Sequence, residues 1–217
     1  MESPDFIVVV GPMFCGKTSR IITEGQKYLH AGRRIVYFRP RIANRNDDEI
    51  VISQGRIKLR GVEPTLIEDL AHAAEIILTI GRRYDVVMVD EGHFLPLDVF
   101  RTLTTLHCEG RSILFCGCDT DFLGEPFDTV AKVMALPEAQ IHKLTAFCAR
   151  CGSRATRSQK LVSGKPAPLD SQRFETGGKK KYRALCLACF NETNPAAEPE
   201  LSANGARPAL ASVQGSG

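Results

Sequence analysis

"FIVVVGPMFCGKTSRII", residues 6–22, carries five apolar residues into a turn with two glycines and a lysine, and an apolar helical pattern follows. Residues 6–10 are an unbroken apolar run stopped by Gly11, as expected of a strand covered on both faces in a parallel sheet. Gly11 to Thr18 fits G-x-x-x-x-G-K-[ST], and it stands after a buried strand and ahead of a helix. In that setting successive backbone N–H groups face a phosphate chain, and the helix N-terminus adds positive partial charge. Lys17 would reach the β- and γ-oxygens and Thr18 would ligate Mg²⁺, so the turn is expected to hold a triphosphate.

Outward from the turn, strands and helices alternate. A helix is expected from Lys17 to Ala31, stopped at Gly32. A strand over 34–40 is closed by Pro40, and the polar stretch 41–61 reads as an irregular, mobile loop with a short strand at "IVIS" (50–53). Further on come a helix over 67–80, a strand over 85–91, a helix over 97–107, a strand over 112–117 and a helix over 129–136. This order predicts an α/β fold: a three-layer, parallel-sheet P-loop NTPase domain of RecA-like type over residues 1–144. No internal repeat is visible.

"VVMVDEGHF" (86–94) supplies a second piece of the site. An apolar strand ending in Asp90 would place a carboxylate beside the phosphate turn, where it holds Mg²⁺ through the water shell. Glu91 follows directly and could accept the proton of an attacking hydroxyl. Without the phosphate turn, a solvated strand-end pair would be the better reading of both.

After Leu144 the pattern changes. Cys148 and Cys151 form CARC, Cys186 and Cys189 form CLAC, and 34 residues separate the pairs. Two such knuckles fit one tetrahedral Zn²⁺ held by four thiolates, which leaves no position for substrate and makes the ion structural. Residues 154–183 hold nine basic residues against Asp170 and Glu175, whereas the whole chain of 217 residues carries only +3. A small zinc-ribbon or lasso domain is therefore expected over 145–192. From Asn191 the chain turns to Ala, Pro, Gly and Ser, as in a disordered tail, with 193–217 assigned to it. No apolar run is long enough to span a bilayer and no signal-peptide pattern opens the chain, so a cytoplasmic protein with reduced cysteines is expected.

Six motifs occur in the order and spacing of one family: "GPMFCGKT" (11–18), "DEGHF" (90–94), "DTDFLGEPF" (119–127), "LTAFCARCG" (144–152), "ATRSQKL" (155–161) and "GGKKKYRALCLACF" (177–190). Over about residues 5–192 the chain resembles type II thymidine kinases, the tetrameric class with a zinc-bound lasso. The resemblance implies that ATP, with Mg²⁺, phosphorylates the 5′-hydroxyl of thymidine in nucleotide salvage, with deoxyuridine as an alternative acceptor. It makes Glu91 the catalytic base and Asp90 the magnesium-side carboxylate. The phosphate site would comprise Gly11, Pro12, Met13, Phe14, Cys15, Gly16, Lys17, Thr18 and Ser19, together with Asp90 and His93. Met13, Phe122, Ser158, Gly177, Gly178 and Tyr182 would meet the nucleoside. Feedback inhibition by thymidine triphosphate and a homotetramer also follow from the resemblance.

Departures stand beside the matches. Cys15 replaces a serine, His93 a glutamine, Cys118 a leucine, Leu123 an arginine and Ala43 an aspartate usual in the family. Cys15 and Cys118 read as neutral replacements. Ala43 and His93 alter polar groups near the phosphates or metal. They motivate one rival function, a catalytically impaired nucleotide-binding relative. The basic lasso motivates another, a P-loop ATPase acting on nucleic acid. Against the latter, only Phe174 and Tyr182 interleave the basic residues, so no nucleic-acid partner is expected.

Overall fold

A computed structural model of the protein describes residues 3–43, 59–173, 175 and 181–194. Strands β1 (Phe6–Val10), β2 (Ile35–Pro40), β3 (Pro64–Ile67), β4 (Val86–Val89), β5 (Ser112–Gly117) and β6 (Gln140–Lys143) form one sheet in the order β3-β2-β4-β5-β1-β6. Every pairing in it is parallel.

Period-2 alternation along the strands sorts the apolar runs between two cores. Phe6, Val8 and Val10 pack with Ile77, Leu103, Leu106 and Val130. These last four belong to α2 (Ala73–Gly81), α3 (Val99–Cys108) and α4 (Asp128–Met134), after α1 (Lys17–His30) in the chain. Ile7 and Val9 point the other way, into a cluster with Ile21 and Ile22 of α1. Both faces are therefore dry, which is why the strands read as unbroken apolar runs rather than alternating ones. The product is the three-layer α/β fold, and strands β1 and β4 deliver the phosphate turn and Asp90 to the same sheet edge. No helix among the described residues is long and apolar enough to cross a membrane.

Several elements differ from expectation. Residues 64–67 form β3, and the helix expected from Ile67 starts only at Ala73, after a 3₁₀ turn at Leu70–His72. Asp69 caps the start of that turn by accepting the Ala71 N–H at 2.9 Å. β6 is an additional edge strand. Within the stretch read as irregular, Arg41–Ala43 is a 3₁₀ turn and Leu59 is fully buried against the α1 face. The strand expected at 50–53 lies outside the described residues.

Beyond Leu144 come short antiparallel pieces: β7 (Ala146–Phe147), β8 (Arg154–Ala155), β9 (Arg157–Val162), β10 (Lys165–Pro166) and β11 (Tyr182–Leu185), then α5 (Leu187–Thr193). β9 pairs with both β10 and β11, and β7 with β8. Of the stretch expected to be tail from Asn191, residues 191–193 continue α5 and Asn194 is buried. Residues 195–217 lie outside the described part.

Candidate active site

The turn after β1 is bent by glycines. Gly11 has φ 145°, and a Cβ there would sit 2.4 Å from the Leu144 carbonyl oxygen; Gly16 at φ 89° turns the chain into α1. Phe14 is also left-handed, at φ 66°, a conformation that costs a non-glycine residue roughly 1–2 kcal/mol. Its ring packs, with Cys15, against the cluster of Ala146, Cys148, Ala155, Ala184, Leu185, Cys189 and Phe190, which offsets that cost. Lys17, buried at the start of α1, donates from Nζ to the Pro12 carbonyl at 2.8 Å and the Gly11 carbonyl at 3.1 Å. Ser19 lies in the same first turn, where its carbonyl accepts the Thr23 hydroxyl.

Asp90 stands one residue past β4 and is 1 % exposed. The Thr18 hydroxyl lies 3.2 Å from each of its carboxylate oxygens. Burial alone would push this carboxyl up. The Arg39 guanidinium, the Cys116 thiol, the Tyr37 hydroxyl and the Glu91 N–H together hold it below the ordinary carboxylate value. Burial, reinforced by Asp90, raises Tyr37 and Cys116 well above their usual values, so both keep the protons they donate. A carboxylate beside a hydroxyl is the hard-oxygen donor set that suits Mg²⁺.

Glu91 follows in the left-handed region at φ 52°, and that turn carries its side chain away from Asp90 toward a pocket. Strain of this kind in a non-glycine residue persists only where its surroundings enforce it. His93 is buried with its ring against Phe94 and Phe127 at centroid distances of 4.2 and 5.0 Å. Its Nδ1 accepts the Cys118 N–H at 3.3 Å and stands 3.6 Å from Glu91 Oε2.

The pocket, a solvent-open cleft of about 520 Å³, brings Glu91 and His93 together with Met13, Phe122, Ser158 and Tyr182. Ser158 accepts the Met13 N–H at 2.9 Å, which ties β9 to the phosphate turn. The Tyr182 hydroxyl donates to the Glu175 carbonyl at 2.8 Å. Gly177 and Gly178 lie outside the described residues. Asp121, Arg173 and Glu175 line the same cleft and were not singled out from the sequence. Asp121 accepts the Leu123 and Glu125 N–H groups and pairs with Arg173 Nε at 2.7 Å. Glu175 pairs with Lys160 at 2.6 Å and with Lys181, and these two cations pull its carboxyl below the ordinary value. "DTDF" offered a signal for Asp121; a charge pair such as Lys160 with Glu175 leaves none in the sequence. Tyr37, Arg39 and Cys116 were missed because they sit inside apolar strand runs.

Cys148, Cys151, Cys186 and Cys189 place one sulfur each within 4.8 Å of all the others. A zinc tetrahedron with Zn–S bonds of about 2.3 Å has edges of about 3.8 Å, and Cys151 and Cys186 Sγ are 3.6 Å apart. Burial raises the Cys148 thiol, but the N–H groups of Cys186, Cys151 and Arg150 outweigh it and bring the thiol down to about 6. Thiolate is the form that zinc takes; it is the spacing of the four sulfurs that fits a structural Zn²⁺.

Comparison with known proteins agrees with this geometry. The model of a family described as "Thymidine kinase" matches residues 5–190. The thymidine kinase of Pyrobaculum aerophilum is 41% identical over 180 residues, covering 83% of this chain and 95% of that protein. That of Thermococcus kodakarensis is 37% identical over 180 residues, 82% of this chain and 90% of the relative. That of Roseiflexus sp. is 37% identical over 186 residues, 84% and 93% respectively. With six motifs, a parallel sheet, a phosphate turn and a four-cysteine cluster all in place, the chain belongs to the thymidine kinase family.

Proposed function

We propose that this protein transfers the γ-phosphoryl group of ATP to the 5′-hydroxyl of thymidine, forming thymidine monophosphate and ADP for nucleotide salvage. One observation carries the reading: Glu91 shares a pocket with Met13, Phe122, Ser158 and Tyr182 and follows Asp90, which is bonded to Thr18 of the phosphate turn. A nucleoside in that pocket would present its hydroxyl between Glu91 and the phosphates.

The backbone of Gly11 to Gly16 and the ammonium of Lys17 bind the triphosphate, with Ser19 and His93 at its margin. Thr18 and Asp90 would hold Mg²⁺, which would neutralise charge on the transferring phosphoryl group. Glu91 takes the 5′-hydroxyl proton as the oxygen attacks phosphorus, and the bond from the γ-phosphorus to the bridging oxygen breaks. Because this transition state needs little covalent help, alignment and charge carry most of the rate. Gly177 and Gly178 keep the lasso role that the resemblance gives them, with residues 145–192 as a lasso domain on a 1–144 nucleotide-binding domain. Deoxyuridine is the alternative acceptor, thymidine triphosphate the feedback inhibitor and a homotetramer the assembly. A cytoplasmic location suits a site that needs four reduced thiols.

Incubation with labelled ATP and a nucleoside panel tests the reading. Label on thymidine supports it. ADP release driven by nucleic acid, or binding without turnover, overturns it.

A further inference from the structure

Asp90 is gripped from both strands that flank β4. From β2, the Tyr37 hydroxyl donates to Oδ2 at 2.6 Å, and Arg39 Nη2 lies 3.3 Å from the same oxygen. From β5, the Cys116 thiol donates to Oδ1 at 2.9 Å. Tyr37 and Arg39 are two apart on one strand and so project to one face of the sheet, the face that α1 and Thr18 cover.

Hydrogen bonding does not account for Arg39. A carboxylate offers about four lone-pair sites, and Thr18, Tyr37, Cys116 and the Glu91 N–H already supply four donors. What Arg39 adds is a permanent cation. Its side chain is only 16% exposed, and its Nε meets no acceptor among the described residues. A positive charge fixed this close to a carboxylate, where water screens poorly, cancels much of the pull that the carboxylate exerts on a second cation.

We propose that the fixed charge of Arg39 opposes Mg²⁺ and so offsets the pull of Asp90, letting the metal enter and leave with the nucleotide, while Tyr37 and Cys116 fix the carboxylate's orientation. This rests on Asp90 and Thr18 being the metal-side pair. The shell solves two opposed requirements: the carboxylate must be aimed at the metal, yet product release requires that it not trap the ion.

The test reads binding, not turnover. A fluorescent ATP analogue is titrated with Mg²⁺, and the Mg²⁺ concentration at half-maximal binding is compared among variants, with metal-free binding measured alongside. Arg39→Gln should lower that concentration about tenfold, because the competing charge is gone, whereas Arg39→Lys should stay within about threefold of the parent because the charge remains. An unchanged or raised requirement in Arg39→Gln overturns the proposal. If that variant does not fold, Asp90→Asn is compared with Asp90→Asn/Arg39→Gln, a background with no buried carboxylate to leave unpaired. Removing the arginine there should again lower the requirement about tenfold, and no difference overturns the proposal. An Mg²⁺ requirement unchanged by Asp90→Asn alone would instead remove the metal-side assignment itself.

Discussion

Asn194 Nδ2 donates to the main-chain carbonyl of Phe122 at 2.9 Å, across 72 residues of sequence. The bond fastens the end of α5 to a wall of the cleft that holds Glu91. Asn194→Ala leaves that carbonyl without this donor in a buried place, a loss of about 1–2 kcal/mol. The melting temperature should fall and the thymidine KM should rise about three- to tenfold, with kcat within about twofold. Steady-state kinetics and a thermal melt on one preparation check this, and an unchanged KM would show that the contact only supports the helix.

Glu91→Gln keeps size and hydrogen-bonding shape but removes the anionic acceptor. Turnover should fall by roughly 10²–10⁴, while ATP affinity, set by the phosphate turn and Lys17, persists. Near-normal turnover would refute the base assignment. Lys17→Ala should instead weaken ATP binding and turnover together, since it removes a contact made before and during transfer.

One zinc per chain is expected by elemental analysis. Strong chelation or Cys186→Ser should lower the melting temperature and raise the thymidine KM, because the chain between the two cysteine pairs then pays its own closure entropy on binding. A purified, active protein without zinc would refute the assignment.

Glu175 gives a pH-dependent test. Its folded-state carboxyl lies below the ordinary 4.5 because Lys160 and Lys181 bond to it. Its stabilisation is therefore complete above the unfolded value and is lost as pH falls through the folded one. Glu175→Gln, which leaves the buried Lys160 ammonium with the Gln172 carbonyl and the Phe122 ring but no carboxylate partner among the described residues, should cost about 1–2 kcal/mol at pH 7. Denaturant melts should show the gap between variant and parent holding above about pH 5.5 and closing below about pH 4.5. A gap independent of pH would show that packing, not charge, is what Glu175 contributes.

What could be read in advance followed burial. β1, β4 and β5 announced themselves because both faces of a parallel sheet are covered, and the phosphate turn because its glycines and lysine have fixed spacing. β3 went unread, since its four residues begin with a proline and only the last, Ile67, fell within the helix expected over 67–80. β6, "QIHK", is a mostly exposed edge strand with no apolar signal. In β9 the buried residues are Ser158, Gln159 and Lys160, which look like surface until their partners are known. The shell around Asp90 was hidden in the opposite way: Tyr37 and Cys116 look like core. Polar partners that meet across the fold leave no local periodicity to detect.

The packing of Phe14 and Cys15 against the cysteine-centred cluster joins two binding events. A residue of the phosphate turn is held in its left-handed conformation partly by side chains that the zinc ion organises. To whatever extent metal loss relaxes that ring, nucleotide affinity changes by a factor that linkage makes reciprocal. ATP then protects the zinc from chelators by the same factor. Zinc affinities measured by chelator competition with and without ATP are expected to differ by that factor.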